Sequence, residues 1–251
     1  MGSPPTPESS ARPLTDASFP TWDVTRVAAR ELISTVRAGL APVARWLPLP
    51  DARPKVDLPP VVLVHGFLGH PDMLRPLARR LIREGFPRVE RPRYFSTRLP
   101  LEAIVEQVAE TVRSLGDGPV DLVGHSLGAV ACRTWLKCFG GAEHVRRFVA
   151  LGGPHAGTSF YRFVPPWLRP AMDPRGPWVR RLAEGLEPVP TLVVRARYDH
   201  QVFPPIRGAI AGAHEVVLHG IGHNGLLWSR AAQDAVVAFL LADEPEDPIA
   251  V

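Results

Sequence analysis

The chain has 251 residues, 45% of them hydrophobic, which is enough for one domain with a sizeable core. No apolar run approaches the roughly 20 residues that a membrane-spanning helix needs. The net charge is +4, and all but two of the 29 basic residues (Lys55 and Lys137) are arginines; they are scattered without interleaved aromatics, which argues against nucleic-acid binding.

In chain order, residues 1–20 are rich in Pro and Ser and predict a disordered tail. They lack the basic and apolar regions of a signal peptide, so a cytoplasmic location is expected. Gly2 and Thr6 match only the bare myristoylation pattern. Residues 21–47 predict an amphipathic N-terminal helix. Its apolar stripe is Ala29, Ile33, Val36 and Leu40, with Arg26, Arg30 and Arg37 off that stripe. Thr21 or Asp23 is a candidate cap and Pro42 the expected stop. Such a helix docks on the main domain; the other reading is peripheral membrane or partner contact through residues 22–41. Residues 48–60 form a Pro-rich linker, and residues 242–251 an acidic tail.

Between them, residues 61–241 alternate strands and helices. "VVLVHG" reads as a buried strand, followed by a helix from Met73 to Glu84. "RVERPRYF" is a weaker strand, because Pro92 interrupts it. A helix over 101–115, the strand "VDLVGHS" and a helix over 127–138 follow. "VRRFVALGG", "PTLVVRA" and "HEVVLHG" are three further strands, and a helix over 228–241 closes the domain. The alternation predicts an α/β fold: a mostly parallel central sheet with helices on both faces and a short cap over 155–189. Sites in such sheets gather at the C-terminal ends of the strands.

The chemistry-bearing motifs fall at those ends. Gly124-His125-Ser126-Leu127-Gly128 satisfies G-x-S-x-G with a strand before it and a helix after it. The glycines permit a sharp turn that lifts the Ser126 hydroxyl above the sheet, where a helix-capping serine would not need them. A serine hydroxyl needs a base. His223, in the Gly-rich loop "GIGHNG" after the last strand, is the preferred base, with His219 in reserve. Asp199 follows "TLVV" and is placed to hold the imidazole tautomer; Glu215 lies within a strand and Asp173 precedes the required one. Two amide donors are needed for an oxyanion: the N–H of Leu127, next to the nucleophile, and that of Phe67 in the loop "VHGFLGH".

These motifs together resemble the α/β-hydrolase superfamily, and within it the bacterial lipase and esterase families. "VVLVHGFLGHPDMLRPLARRL" is similar to their oxyanion strand and first helix, "VDLVGHSLGAVACRTWL" to their nucleophile elbow, and "FVALGGPHAGT" to the segment after their next strand. "YDHQVFPP" and "GIGHNGLL" resemble their acid and histidine loops. The resemblance covers about residues 60–241 and implies Ser126, Asp199 and His223 as a triad, Phe67 and Leu127 as oxyanion donors, and no cofactor. It implies hydrolysis of carboxylic esters, the substrate being a small-molecule or lipid ester, and the apolar residues of the cap point to an apolar acyl group. Thioester or amide hydrolysis and acyl transfer use the same triad, and a noncatalytic binding protein on the fold is the rival from another class. The N-terminal helix has no counterpart in that pattern.

Within the cap, Phe160, Tyr161, Phe163, Trp167, Leu168, Met172 and Trp178 are the candidates to line an acyl pocket, with Phe160, Trp167 and Met172 foremost; His155 and Thr158 are expected to support the loop. No metal site is expected, because the nine histidines show no ligand spacing. Cys132 and Cys138, six apart on one predicted helix, turn to different faces and cannot bridge. Nothing in the sequence indicates an oligomeric state.

Overall fold

The computed structural model describes residues 21–46, 48–51, 54–55 and 57–243. The expected tail over 1–20 with its acylation pattern, the side chains of the candidate caps Thr21 and Asp23, and most of the acidic tail lie outside what is described.

Six strands form one sheet: β1 (Val61–Val64), β2 (Val89–Glu90), β3 (Val120–His125), β4 (Val145–Leu151), β5 (Thr191–Ala196) and β6 (His214–Leu218). Their order is β2-β1-β3-β4-β5-β6 and every pairing is parallel. Helices cover both faces: α1 (Thr21–Leu40), α2 (Arg75–Glu84), α3 (Leu101–Arg113), α4 (Leu127–Cys138), α5 (Arg169–Met172), α6 (Pro177–Ala183), α7 (Gly225–Trp228) and α8 (Arg230–Leu241). Alternate residues of each strand serve opposite cores, as the two-residue period of a strand requires. Val62, Val64, Leu122 and Phe148 join α3, α4 and the cap in one cluster. Val61, Leu63, Val123 and Val149 join α2, α7 and α8 in the other.

The register brings the functional loops to one edge. Val64 lies beside Gly124, Gly124 beside Ala150, Leu151 beside Val194, and Ala196 beside Leu218. The segments after β1, β3, β4, β5 and β6 therefore leave the same side of the sheet. Three elements differ from expectation. The strand expected over 88–95 is paired only at Val89–Glu90, because Pro92 lacks the N–H that would continue the ladder. The helix expected from Met73 begins with a 3₁₀ turn, Pro71–Leu74, before α2. The closing helix expected from 228 begins at Arg230, as α8, because Ser229 caps it by accepting the Ala232 N–H, and the short α7 precedes it.

The cap is fastened from below. Arg133 of α4 makes a bidentate pair with Glu187 and donates to the Leu182 carbonyl, while Lys137 donates to the Glu184 carbonyl. Both charged partners of the Arg133–Glu187 pair are buried, 6% and 5% exposed, so loss of Glu187 strands the Arg133 charge.

The N-terminal helix corrects the reading of its periodicity. α1 docks on the domain, but by the stripe Val27, Glu31, Ser34 and Ala38. Ile33, Val36 and Leu40, expected to face inward, are 53%, 53% and 60% exposed on the opposite side. Among the described residues, no helix is long and apolar enough to cross a membrane.

Candidate active site

Ser126 occupies the single residue between β3 and α4. Its backbone lies at φ 55 and ψ −124, a region that side-chain-bearing residues seldom adopt. The turn closes only because its neighbours are glycines. A Cβ on Gly124 would lie 2.4 Å from the Ala129 Cα, and one on Gly128 would lie 2.4 Å from the His65 carbonyl oxygen. Gly66, after β1, approaches just as closely: a Cβ there would lie 2.7 Å from the Ser126 Cβ. The expected elbow is present, and the loop carrying Phe67 packs directly against it.

His223 and Asp199 form a buried pair, with Nδ1 2.7 Å from Oδ2 and side chains 1% and 2% exposed. The other Asp199 oxygen accepts the Gln201 and Val202 N–H groups, each at 2.8 Å. Burial favours the neutral carboxyl, but the His223 imidazole and these amides outweigh it and hold the Asp199 pKa below its usual value. For His223, burial opposes the charged form, but the Asp199 carboxylate and, more weakly, Glu31 leave its pKa raised. Its Nε2 has no partner among the described residues.

The pair adjoins Ser126. The His125 and His223 rings are 4.9 Å apart. Ser126 donates its N–H to the Leu151 carbonyl, and a Cβ on the next residue, Gly152, would lie 3.3 Å from His223. At the other buried histidines of this region the effect of burial prevails. Burial lowers the pKa of His65 to about 4 and that of His125 to about 3, and holds His155 well below its ordinary value. His223 is the one beside a buried carboxylate. The alternatives considered from sequence are engaged elsewhere or lie at the surface: His219 is exposed, Glu215 pairs with Arg195, and Asp173 accepts the Arg175 N–H.

Ser126 opens onto a cavity of about 360 Å³, which Phe67, Phe160, Phe163, Val164 and Met172 line together with residues of the acid loop. Two of the three foremost pocket residues, Phe160 and Met172, are in this lining. Trp167 is not. It is 47% exposed on the turn Pro166–Leu168, whose inward position is taken by Leu168, fully buried in the core. Phe163, another of the candidates, and Val164 complete the wall. Thr158 ties the cap to the acid loop: its hydroxyl donates to the Gln201 carbonyl and accepts the Phe203 N–H. His155 is buried against Gly153. Among the described residues, no group of three or more His, Cys, Asp or Glu side chains is placed to hold a metal ion.

One contributor was not singled out in the sequence. Glu31 of α1 accepts the N–H groups of Asn224 at 2.7 Å and Gly225 at 3.0 Å, immediately after His223. No local motif marks it, because its partners lie more than 190 positions away.

A sequence model described as "Alpha/beta hydrolase family" matches residues 61–213. Among solved structures, the chain is similar to the mature form of Bacillus licheniformis lipase BlEst2, with TM-score 0.62 and 12% identity over 76% of this chain and 95% of that one. It is similar to a thioesterase domain from the curacin biosynthetic pathway, with TM-score 0.56 and 17% identity over 76% of this chain and 93% of that one. It is also similar to the enol-lactonase of Burkholderia xenovorans LB400, with TM-score 0.52 and 18% identity over 76% and 95% of the two chains. At these identities the likeness concerns the fold.

Proposed function

The chain belongs to the alpha/beta hydrolase family, and from that premise we propose that it is a serine hydrolase that cleaves carboxylic esters of apolar acids. The observation that carries this reading is the buried His223–Asp199 pair beside a strained serine at the mouth of an apolar cavity. Neutral His223 takes the Ser126 proton on Nε2 while Ser126 Oγ attacks the ester carbonyl carbon. The Asp199 carboxylate stabilises the imidazolium that results. The N–H groups of Phe67 and Leu127 stabilise the tetrahedral oxyanion. Its collapse breaks the carbon–oxygen bond to the leaving group, which takes the proton from His223. Water, deprotonated by His223, then releases the acid from Ser126 in the same way.

Apolar walls favour an apolar acyl chain, because each buried methylene contributes about 0.8 kcal/mol. The same groups serve a thioester, and one similar structure is named a thioesterase domain. A length series of p-nitrophenyl esters, run beside matching acyl thioesters, decides between the two. Ser126→Ala should abolish both hydrolysis and labelling by a fluorophosphonate; hydrolysis by that variant at the wild-type rate would exclude the mechanism.

We also propose that lipid esters reach the site from a lipid surface. Phe163, Phe160 and Phe203 form an exposed apolar rim, and Phe203 shares a groove with Val24 and Leu32 of α1. Sedimentation with anionic vesicles should be lost when Leu32, Ile33 and Val36 are replaced by Ser; unchanged sedimentation would remove this part of the reading.

A further inference from the structure

The middle of the inner face of α1 carries Glu31 and Ser34, between Val27 and Ala38, where an amphipathic helix normally presents apolar side chains to its domain. Glu31 is 6% exposed, and burying a carboxylate is costly unless its oxygens are hydrogen-bonded. Each oxygen accepts one backbone amide, Oε1 that of Asn224 and Oε2 that of Gly225. Two neighbouring side chains of α1 hold the same loop. Arg30 donates to the Gly220 carbonyl at 2.9 Å, and the Asn224 amide donates to the Thr35 hydroxyl at 3.1 Å. The loop is shaped to receive the carboxylate, since a Cβ on Gly222 would lie 2.6 Å from Glu31 Oε2. Residues 220–225 carry His223 at their centre, so α1 grips the loop on both sides of the imidazole.

We propose that Glu31 is a positioning residue of the hydrolytic site: it orders the loop 220–225 from outside and thereby holds the His223 imidazole against Asp199 and beside Ser126. The inference rests on His223 being the general base. It assigns the N-terminal helix a part in catalysis without contact to substrate. Glu31 also acts on His223 by charge. The groups facing His223 are Asp199 from the loop after β5, Glu31 from α1 and the neutral His125 from the end of β3. His200 also lies here, with its Nδ1 4.0 Å from Glu31 Oε1. Glu31 favours the imidazolium, so removing its charge lowers the pH at which His223 becomes a base.

The test uses the full chain, with kcat and KM for a p-nitrophenyl ester measured between about pH 5 and pH 9. In Glu31→Gln, one end of the side chain becomes an NH₂ that faces an amide N–H. The expected result is a loss of roughly 10- to 100-fold in kcat, little change in KM, and an acid limb of kcat/KM displaced to lower pH. Glu31→Asp should recover part of the rate and return the acid limb toward the wild-type position. Ala29→Ser, at an exposed position of α1, is the control for a general disturbance of the helix and should match wild type. Gly222→Ala pushes the carboxylate away while keeping every charge, and should lower kcat with a smaller displacement of the limb.

A Glu31→Gln enzyme with wild-type kcat and acid limb per folded molecule would overturn the proposal, whatever its melting temperature. If Glu31→Gln does not fold, Gly222→Ala decides: unchanged kcat overturns the proposal. Wild-type protein inert toward esters, thioesters and fluorophosphonate removes the hydrolase reading and this inference with it. Active wild type with indifferent Glu31 variants removes the inference alone.

Discussion

Ser126 and His223 lie at the same edge of the sheet, yet they are held there by different means. The turn at Ser126 is built within residues 120–138 and takes from elsewhere one hydrogen bond to the Leu151 carbonyl and close contact from the loop after β1. Gly124 and Gly128 let the strand and helix approach, and the hydrogen bonds of β3 and α4 on either side stabilise the strained conformation. The loop around His223 has little regular structure of its own. α7, which follows it, is four residues long, and the amides at its start are satisfied by Glu31 from the other end of the chain. One half of the site is thus maintained by local geometry and the other by tertiary contact. The first should resist everything except a change in its own residues, while the second should respond to changes far away in sequence.

The largest effect expected is that of Ser126→Ala, which should lower kcat for p-nitrophenyl esters by about 10⁴-fold or more, read by initial rates and by loss of fluorophosphonate labelling. Asp199→Asn attacks the other half. It should cost roughly 10³- to 10⁴-fold in kcat, because the imidazole loses the partner that sets its tautomer. If His223 is the general base, its raised pKa should place the acid limb of wild-type kcat/KM above the ordinary value of 6.5, since only the neutral imidazole accepts a proton. Removing the Asp199 charge should move that limb to lower pH; a limb that stays in place would mean that it reports another group.

Gly124→Ala tests how local the elbow is. The added methyl meets the Ala129 backbone, which cannot move without displacing α4, so a loss of about 1–3 kcal/mol in stability is expected in urea melts, with slower labelling of Ser126. Normal stability and labelling would show that the turn tolerates more than its geometry allows. The smallest effect is expected at the rim. Phe163→Ala, at an 82% exposed position, should raise KM for long-chain esters by a few-fold, on the order of 1 kcal/mol, while leaving short-chain esters unaffected.

The sheet and the elbow were legible in the sequence because their signals are short-range. "VVLV" and "VDLVGH" are continuous apolar or nearly apolar runs, which buried parallel strands require, and both are fully buried. Glycines at 124 and 128 state a steric demand that acts over five residues. Asp199 and His223 were readable for a related reason: each follows a recognisable strand, and the order of the strands brings them together.

What only the tertiary structure decided is which surfaces meet. The periodicity of α1 correctly indicated a helix but assigned the wrong face to the interior, because apolar spacing cannot register a hydrogen-bonding demand located on another part of the chain. With Glu31 turned inward the two amides beside His223 are hydrogen-bonded, where unpaired burial would be costly, and the apolar stripe is left in solvent. The cap behaves likewise. Its aromatic content marked it as a pocket wall, but Leu168 fills the core beneath it and Trp167 points away, a choice made by packing against α4 and the sheet. Residue type and local spacing therefore determined the strands, the turn and the chemical groups at their ends. Three-dimensional packing determined how the histidine loop is held and what shape its substrate meets, because those depend on contacts between residues that no local pattern connects.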